Sequence, residues 1–114
     1  LVIDFWATWC GPCRMGMKAM QPLKQELAGR DDVAFIYVTN GTSPYRTWVE
    51  TVEKHSGLHY RLSDAEWNRR GAAANGIPEY RIFDKEGNEL ECIVGYSEGL
   101  PDHVREVLQK AGMK

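Results

Sequence analysis

The motif Cys10-Gly11-Pro12-Cys13 constrains the fold of this 114-residue chain more than any other feature. It follows a run of strand-forming residues, Leu1–Trp6, and it precedes residues with helical spacing. Pro12 is tolerated in the first turn of a helix, because the N–H that it lacks would have no intrahelical partner there. The pattern therefore predicts a buried strand, a short loop and a helix that begins at the motif.

The position of Cys10 just ahead of that helix favours a reactive thiolate. Free backbone N–H groups and the helix dipole favour negative charge at a helix N-terminus. Thiols of C-x-x-C motifs at such positions have pKa values lowered to roughly 3.5–7.5. A thiolate is the nucleophile of thiol–disulfide exchange, and a second thiol nearby can resolve the mixed disulfide. Cys10 and Cys13 therefore predict redox chemistry.

The remainder of the chain predicts an α/β fold. Strand-like apolar runs, the last two forming a hairpin, occur at residues 33–38, 58–62, 80–84 and 90–94. The helix after the motif should be kinked at Pro22 and should stop near Gly29. Ser43 and Pro44 predict an N-cap and first position of a second helix, and Ser63 opens a third through a capping box. Strands that alternate with helices indicate a sheet flanked by helices.

The segment 2–15 resembles the active-site segment of thioredoxin, and the likeness extends over most of the chain. Gly76-Ile77-Pro78 is similar to the cis-proline loop of that family. A longer stretch at about 41–62 resembles the insertion of the TlpA-like thioredoxins, extracytoplasmic relatives that usually reduce disulfides. The resemblance implies a thioredoxin-like fold, with a central mixed β-sheet flanked by helices and an inserted helical segment at about 41–62.

Asp4 is the only charged residue between Leu1 and Ala7. A buried carboxylate is costly unless it has a partner or a function, and the residue alone leaves open that its side chain reaches solvent at a sheet edge. The resemblance implies a catalytic role, because thioredoxin keeps a buried Asp six residues before its first cysteine. That acid assists proton transfer at the second cysteine, which is Cys13 here.

The resemblance also implies a substrate-binding surface around the motif. X-Pro bonds in folded proteins are usually trans, yet the likeness implies a cis bond before Pro78, with the proline beside the disulfide. Backbone groups of Ile77 would then face the substrate strand. Trp9, Gly11 and Pro12 complete the expected surface.

Two departures from the family pattern concern the helix after the motif. Many TlpA-like proteins carry Glu three residues after the second cysteine, where this chain has Gly16. That difference argues against a specialised role dependent on the Glu. Proline is common five residues after the second cysteine, where this chain has Lys18 and places Pro22 one turn later. We expect a shifted kink from the second departure.

A metal-binding module or a non-catalytic thioredoxin-like scaffold remains the alternative function. A lone C-x-x-C could be half of a zinc site, but zinc needs about four suitable ligands. The further candidates are scattered along the sequence: Cys92, His55, His59 and His103. Copper would use soft ligands such as Met15, Met17 and Met20, of which the last two also fit the apolar stripe of the helix. We expect no metal and no cofactor.

The composition of the chain restricts the kinds of partner that we expect it to bind. The formal net charge is −2 and the pI is near 5.9, which argues against nucleic acid. No apolar run approaches the ~20 residues of a membrane span. We expect protein substrates with disulfides or thiols, and a redox partner that regenerates the dithiol. Cys92, the odd cysteine, is expected to be a small buried residue of a strand.

Length predicts one domain over residues 1–114. The chain opens at Leu1 inside an expected strand, so we interpret it as a fragment that lacks its N-terminal part. The likeness of the insertion to TlpA-like proteins implies an extracytoplasmic location, in the periplasm or cell envelope. A cytoplasmic location is the alternative, because Gly-Pro between the cysteines and Asp4 also fit cytoplasmic thioredoxin.

Overall fold

The computed structural model describes residues 1–112. Strands and helices alternate along most of the chain, as the sequence predicts. The elements are β1 (Val2–Phe5), α1 (Gly11–Ala19), α2 (Gln21–Glu26), β2 (Phe35–Thr39), α3 (Tyr45–Lys54), β3 (Leu58–Arg61), α4 (Asp64–Arg69), β4 (Glu79–Phe83), β5 (Glu89–Val94) and α5 (Leu100–Lys110).

The five strands form one mixed sheet in the order β3-β2-β1-β4-β5. β1 is parallel to β2 and β2 is parallel to β3, whereas β4 is antiparallel to both β1 and β5. β1 therefore lies in the centre, which explains its nearly unbroken apolar sequence. The register places Asp4 opposite Tyr37 of β2 and Tyr80 of β4. Because directly opposed residues share a face, these three side chains lie on the same side of the sheet.

Helices α1, α2 and α5 cover that face. The main core joins residues of β1 and β4 to residues of these helices and of the turns between them, and its buried members are Val2, Met20, Leu23, Leu27, Tyr80, Ile82, Leu100, Val104 and Leu108. On the opposite face, Trp67 of α4 meets Phe5 edge-on, with ring centroids 5.7 Å apart. The expected mixed sheet flanked by helices is confirmed, and the inserted segment 41–62 contains α3 and the edge strand β3.

The helix after the motif does not merely kink but divides in two. Met20 ends α1 and also precedes the first residue of α2, so Pro22 occupies the first turn of α2. Proline has no N–H to donate and its ring crowds the carbonyl four residues earlier, so one continuous helix is not possible. Gly29 follows two residues after the C-cap of α2 with a φ of +83°, a conformation that favours glycine.

Ser43 does not cap α3, contrary to the sequence prediction. Pro44 occupies the N-cap position of α3 and provides no side-chain cap. The Ser43 side chain is instead buried and bonded to neighbouring loops. The cap predicted at Ser63 is present, because its hydroxyl accepts the backbone N–H of Glu66 at 3.1 Å. A capping residue type therefore does not identify a cap when another partner is closer.

Cys92 is exposed, and the expectation of a buried thiol was wrong. It lies on the outer strand β5, opposite Arg81 of β4. Burial raises the pKa of its thiol, with a further contribution from the charge of Glu79. Alternation along a strand separates its two faces but does not show which face another element covers. Among residues 1–112, no helix is long and apolar enough to cross a membrane.

Candidate active site

Cys10 and Cys13 form a disulfide at the N-terminus of α1. Cys10 is the N-cap residue, and its Sγ accepts the backbone N–H of Cys13 at 3.2 Å. Cys13 lies in the first turn and is completely buried, whereas Cys10 keeps 6% of its surface exposed. The loop before the helix turns tightly, because the Cys10 N–H donates to the Ala7 carbonyl at 3.1 Å. The helix terminus thus surrounds one cysteine that keeps a little exposed surface and one that is fully buried.

Hydrogen bonds connect the loop between β2 and α3 to the loop that carries the cysteines. The backbone N–H of Thr8 donates to Ser43 Oγ at 3.0 Å, and Ser43 Oγ lies 2.7 Å from Thr39 Oγ1. The indole N–H of Trp9 donates to Thr42 Oγ1, also at 3.0 Å. The sequence did not reveal these contacts, because small polar side chains in loops give no signal of a distant partner.

Asp4 is buried beneath the active-site helix, with 5% of its surface exposed. Burial raises the pKa of its carboxyl from the ordinary 3.8 to about 8, and the charge of Lys24 partly opposes that rise. Its Oδ1 atom has no hydrogen-bond partner among the described residues. Such an acid exchanges its proton near neutral pH, which suits acid–base work. The sheet-edge alternative for Asp4 is excluded, because β1 is a central strand.

Lys24 reaches from α2 over the face of the sheet that carries Asp4. Its ammonium nitrogen lies 4.8 Å from the centroid of the Tyr37 ring and donates to the carbonyl of Ser56. Burial lowers the pKa of Lys24, and the charge of Asp4 opposes that shift. The other side of Tyr37 is stacked on His59, with centroids 4.8 Å apart. Lys24 thus extends from the buried acid toward the surface.

Sequence reasoning missed Lys24, although a signal was present. Lys24 lies four residues after Met20 and three before Leu27, which both face the core. A lysine at this position of an apolar stripe indicates a cation near buried groups.

The expected substrate surface is partly assembled around the disulfide. The bond between Ile77 and Pro78 is cis. Ile77 is half-buried and packs on the cluster that contains both cysteines, whereas Pro78 is buried. Trp9 is 62% exposed, and Pro12 is also exposed. Gly11 has open space above its Cα, so a client backbone could approach it closely.

Gly16 has a physical reason to differ from the Glu of TlpA-like proteins. A methyl group at position 16 would overlap the hydroxyl of Tyr80, and it would also lie 3.6 Å from the ring of Tyr96. Tyr80 is 1% exposed and cannot swing into solvent without opening the core. The side chain of Tyr80, which comes from the sheet, therefore occupies the space beside the second turn of α1.

The metal-binding alternative gains no support from the arrangement of its candidate ligands. Within residues 1–112, no three side chains among His, Cys, Asp and Glu converge as a metal site. Met17 and Met20 are buried in the two core clusters, as their spacing predicted, whereas Met15 is exposed.

Comparisons with known proteins agree with this geometry. The thioredoxin family model matches residues 1–55. A thioredoxin from Staphylococcus aureus is 27% identical over 109 residues, which cover 96% of this chain and 79% of that protein. The crystal structure of a thio-disulfide isomerase from Thermus thermophilus matches with a TM-score of 0.74 at 21% identity, covering 99% of this chain and 79% of the other.

A second solved structure is the thioredoxin domain of a thiol-disulfide oxidoreductase from Bacteroides vulgatus. It matches with a TM-score of 0.72 at 20% identity, over 92% of this chain and 76% of that one. At these identities, the two structures show a common fold. The family model covers β1, the cysteine motif and the helices that follow it.

Proposed function

We propose that the chain is a thiol–disulfide oxidoreductase of the thioredoxin superfamily that works as a reductase of protein disulfides. The observation that carries the proposal is the Cys10–Cys13 disulfide at the N-terminus of α1. Cys10 is the N-cap, where backbone N–H groups stabilise a thiolate, and Cys13 is shielded behind it.

The reaction proceeds through a mixed disulfide. The Cys10 thiolate attacks one sulfur of the client disulfide and releases the other client sulfur as a thiolate, which takes up a proton. Cys13 then loses its proton, and its thiolate attacks Cys10 Sγ. The Cys10–Cys13 bond forms, the bond to the client breaks, and the second client sulfur also becomes a thiol. The client gains two electrons, which a redox partner must return to the protein.

Asp4 is the proposed acceptor of the Cys13 proton. Its pKa of about 8 leaves a usable ionised fraction near neutral pH and permits the proton to leave again. We expect Asp4→Asn to fold and to reduce an insulin-like disulfide several-fold more slowly than wild type. Equal rates across neutral pH would show that Asp4 has only a structural role.

The proposed client surface consists of Trp9, Gly11, Pro12, Ile77 and Pro78. Its support is the exposure of Trp9 and Pro12 and the packing of Ile77 on the cysteine cluster. An extended client segment would lie along Ile77 and bring its sulfur to Cys10. This orientation uses backbone groups of the client, so it suits many sequences.

The reduction potential of the Cys10–Cys13 pair tests the direction of the reaction. The protein is equilibrated with dithiothreitol or glutathione buffers, and the oxidised fraction is measured by mass after alkylation. A reductase should have a potential near that of thioredoxin, about −270 mV, and a value near the −120 mV of a strong oxidant would contradict the proposal. Stoichiometric zinc or copper binding that blocks both thiols would support the metal-binding alternative.

We propose an extracytoplasmic place of work, in the periplasm or cell envelope. The support is the likeness of segment 41–62 to TlpA-like thioredoxins, together with the helix α3 found in it. Fractionation of cells that express the natural gene tests this proposal. Recovery in the cytosol, with the dithiol maintained by a cytosolic reductase, would establish the cytoplasmic alternative instead.

A further inference from the structure

The hydroxyl of Tyr80 is a buried polar group that the reaction above leaves unused. Tyr80 is 1% exposed, and its hydroxyl has no hydrogen-bond partner among the described residues. The ring rises from β4 to α1, where the hydroxyl lies directly against Gly16, three residues after Cys13. A buried hydroxyl without a partner is unfavourable, because it has lost its hydrogen bonds to water and gained none in the protein.

Asp4 lies beside Tyr80 and also has a buried polar atom without a hydrogen-bond partner. The two residues are directly opposed in the antiparallel pair of β1 and β4, so their side chains are neighbours on the face that α1 covers. Asp4 Oδ1 also lacks a partner within hydrogen-bond distance. One group is a donor and the other an acceptor, and they lie under the same helix. A single water molecule can join such a pair when the direct distance is too long.

We propose that Tyr80 is a positioning residue for the redox reaction, whose hydroxyl donates a hydrogen bond to one water molecule that in turn donates to the Asp4 carboxylate. The inference rests on the proposed function, because it assigns Asp4 as the acceptor of the Cys13 proton. The phenol stabilises the ionised acid, and its ring fixes the height of α1 above that acid. Gly16 is required beside Tyr80, since only glycine leaves room for the Tyr80 hydroxyl.

Other titratable groups border the same pair. Lys24 approaches from α2, Tyr37 lies on the other side of Asp4 on β2, and Tyr96 follows β5. His59 of β3 lies behind Tyr37. The core residues that α5 contributes beside Tyr80 are apolar. Burial raises the pKa of Tyr80 far above its ordinary value, and the charge of Asp4 adds to that rise, so the phenol remains a donor.

The first experiment tests the match between Gly16 and Tyr80 by thermal unfolding. We expect Gly16→Ala to lower the unfolding midpoint in the wild-type background. The same change should be neutral or stabilising in Tyr80→Phe, because the overlapping hydroxyl is gone and alanine favours helices. Gly11→Ala, at the first residue of the same helix and with no atom within 4 Å of the added methyl group, serves as the control. Equal effects of Gly16→Ala in both backgrounds would overturn the match.

The second experiment measures Asp4 itself. A ¹³C NMR titration of the Asp4 carboxyl in the oxidised protein should give a pKa about one unit higher in Tyr80→Phe than in wild type, because the carboxylate loses a donor. Tyr96→Phe removes a hydroxyl from the same region and should leave the pKa of Asp4 unchanged. An unchanged pKa in Tyr80→Phe would overturn the inference while leaving the proposed function intact.

A kinetic measurement then connects the hydrogen bond to the reaction. A peptide is joined to Cys10 as a mixed disulfide, and its release by Cys13 is followed against pH. The release rate should rise with pH as Asp4 ionises, and Tyr80→Phe should move this rise to higher pH by the same unit. The shift should vanish in the Asp4→Asn background. If Asp4→Asn leaves the wild-type profile unaltered, both the role of Asp4 and the inference about Tyr80 fail.

Discussion

At the scale of single residues, the buried acid Asp4 ties stability to pH. Its pKa is about 8 in the folded protein and 3.8 in its ordinary state, so the folded state binds more protons between those values. The contribution of Asp4 to stability is therefore largest below pH 4, falls as pH rises from 4 to 8 and is lost above 8. We expect wild type to lose roughly 3–5 kcal/mol more than Asp4→Asn between pH 4 and 9. Urea unfolding of the oxidised proteins measures the free energy of unfolding at each pH, with Glu98→Gln as a surface control. The same pH dependence in wild type and Asp4→Asn would contradict the prediction.

The two cysteines differ in exposure, and this difference predicts their order of reaction. In the reduced protein, iodoacetamide should modify Cys10 faster than Cys13, because Cys10 keeps some exposed surface at the helix N-terminus whereas Cys13 is fully buried. Cys13→Ser should trap mixed disulfides through Cys10. The exposed Cys92 would confuse both readings, so the measurements use a Cys92→Ser background. Peptide mapping that finds Cys13 modified first would reverse the assigned roles.

The sequence predicted some residues well and others not at all. Asp4 was singled out because a charge stands alone in an apolar strand, and the structure buries it. Cys92 was misjudged because strand alternation does not say which face is covered. Tyr80 looked like an ordinary strand residue. Its importance depends on the space above Gly16, which only the packed helix defines.

At the scale of elements, the connection between β2 and α3 supports the catalytic loop. Ser43→Ala would remove the acceptor of the Thr8 N–H and the partner of Thr39 Oγ1. A buried N–H left unpaired should destabilise the protein by about 1–3 kcal/mol. Ser97→Ala, on an exposed serine, is the matched control, and urea unfolding of both variants gives the comparison. A loss no greater than that of the control would mean that water replaces the hydroxyl.

Element types were more predictable than their ends. The hairpin follows from alternation, and the cap at Ser63 is where its motif predicted. The division of the first helix at Met20 was underestimated as a kink, because the effect of Pro22 depends on whether the chain can restart a helix there. Ser43 was assigned to the wrong role since local sequence does not show the Thr8 N–H, 35 residues away.

At the scale of the whole molecule, the sheet order brings the functional parts together. β1 ends at the cysteine loop, β4 begins just after Pro78, and the two strands are neighbours. Periodicity predicted strands and the resemblance to thioredoxin implied a mixed sheet, but the order of the strands is seen only in the structure. The inserted segment is part of this body: β3 extends the sheet, and Trp48 of α3 packs on the cysteine cluster. Deletion of α3 would therefore expose the core and could not isolate an effect on clients.

A surface substitution on α3 tests whether the insertion selects clients. Tyr45 is 65% exposed and lies three residues beyond Thr42, which holds Trp9. Its ring stands 5.7 Å from that of Trp48, so it continues an aromatic surface from the active site. We expect Tyr45→Ala to lower kcat/KM for protein disulfides by about tenfold, as an interface aromatic can be worth over 1 kcal/mol. The rate with a small disulfide should remain unchanged, because no atom of the redox pair is altered.

Tyr60→Ala is the control, since Tyr60 is also an exposed tyrosine but lies on the edge strand β3. Equal losses in the two variants, or a loss with the small disulfide as well, would mean that α3 does not contact clients.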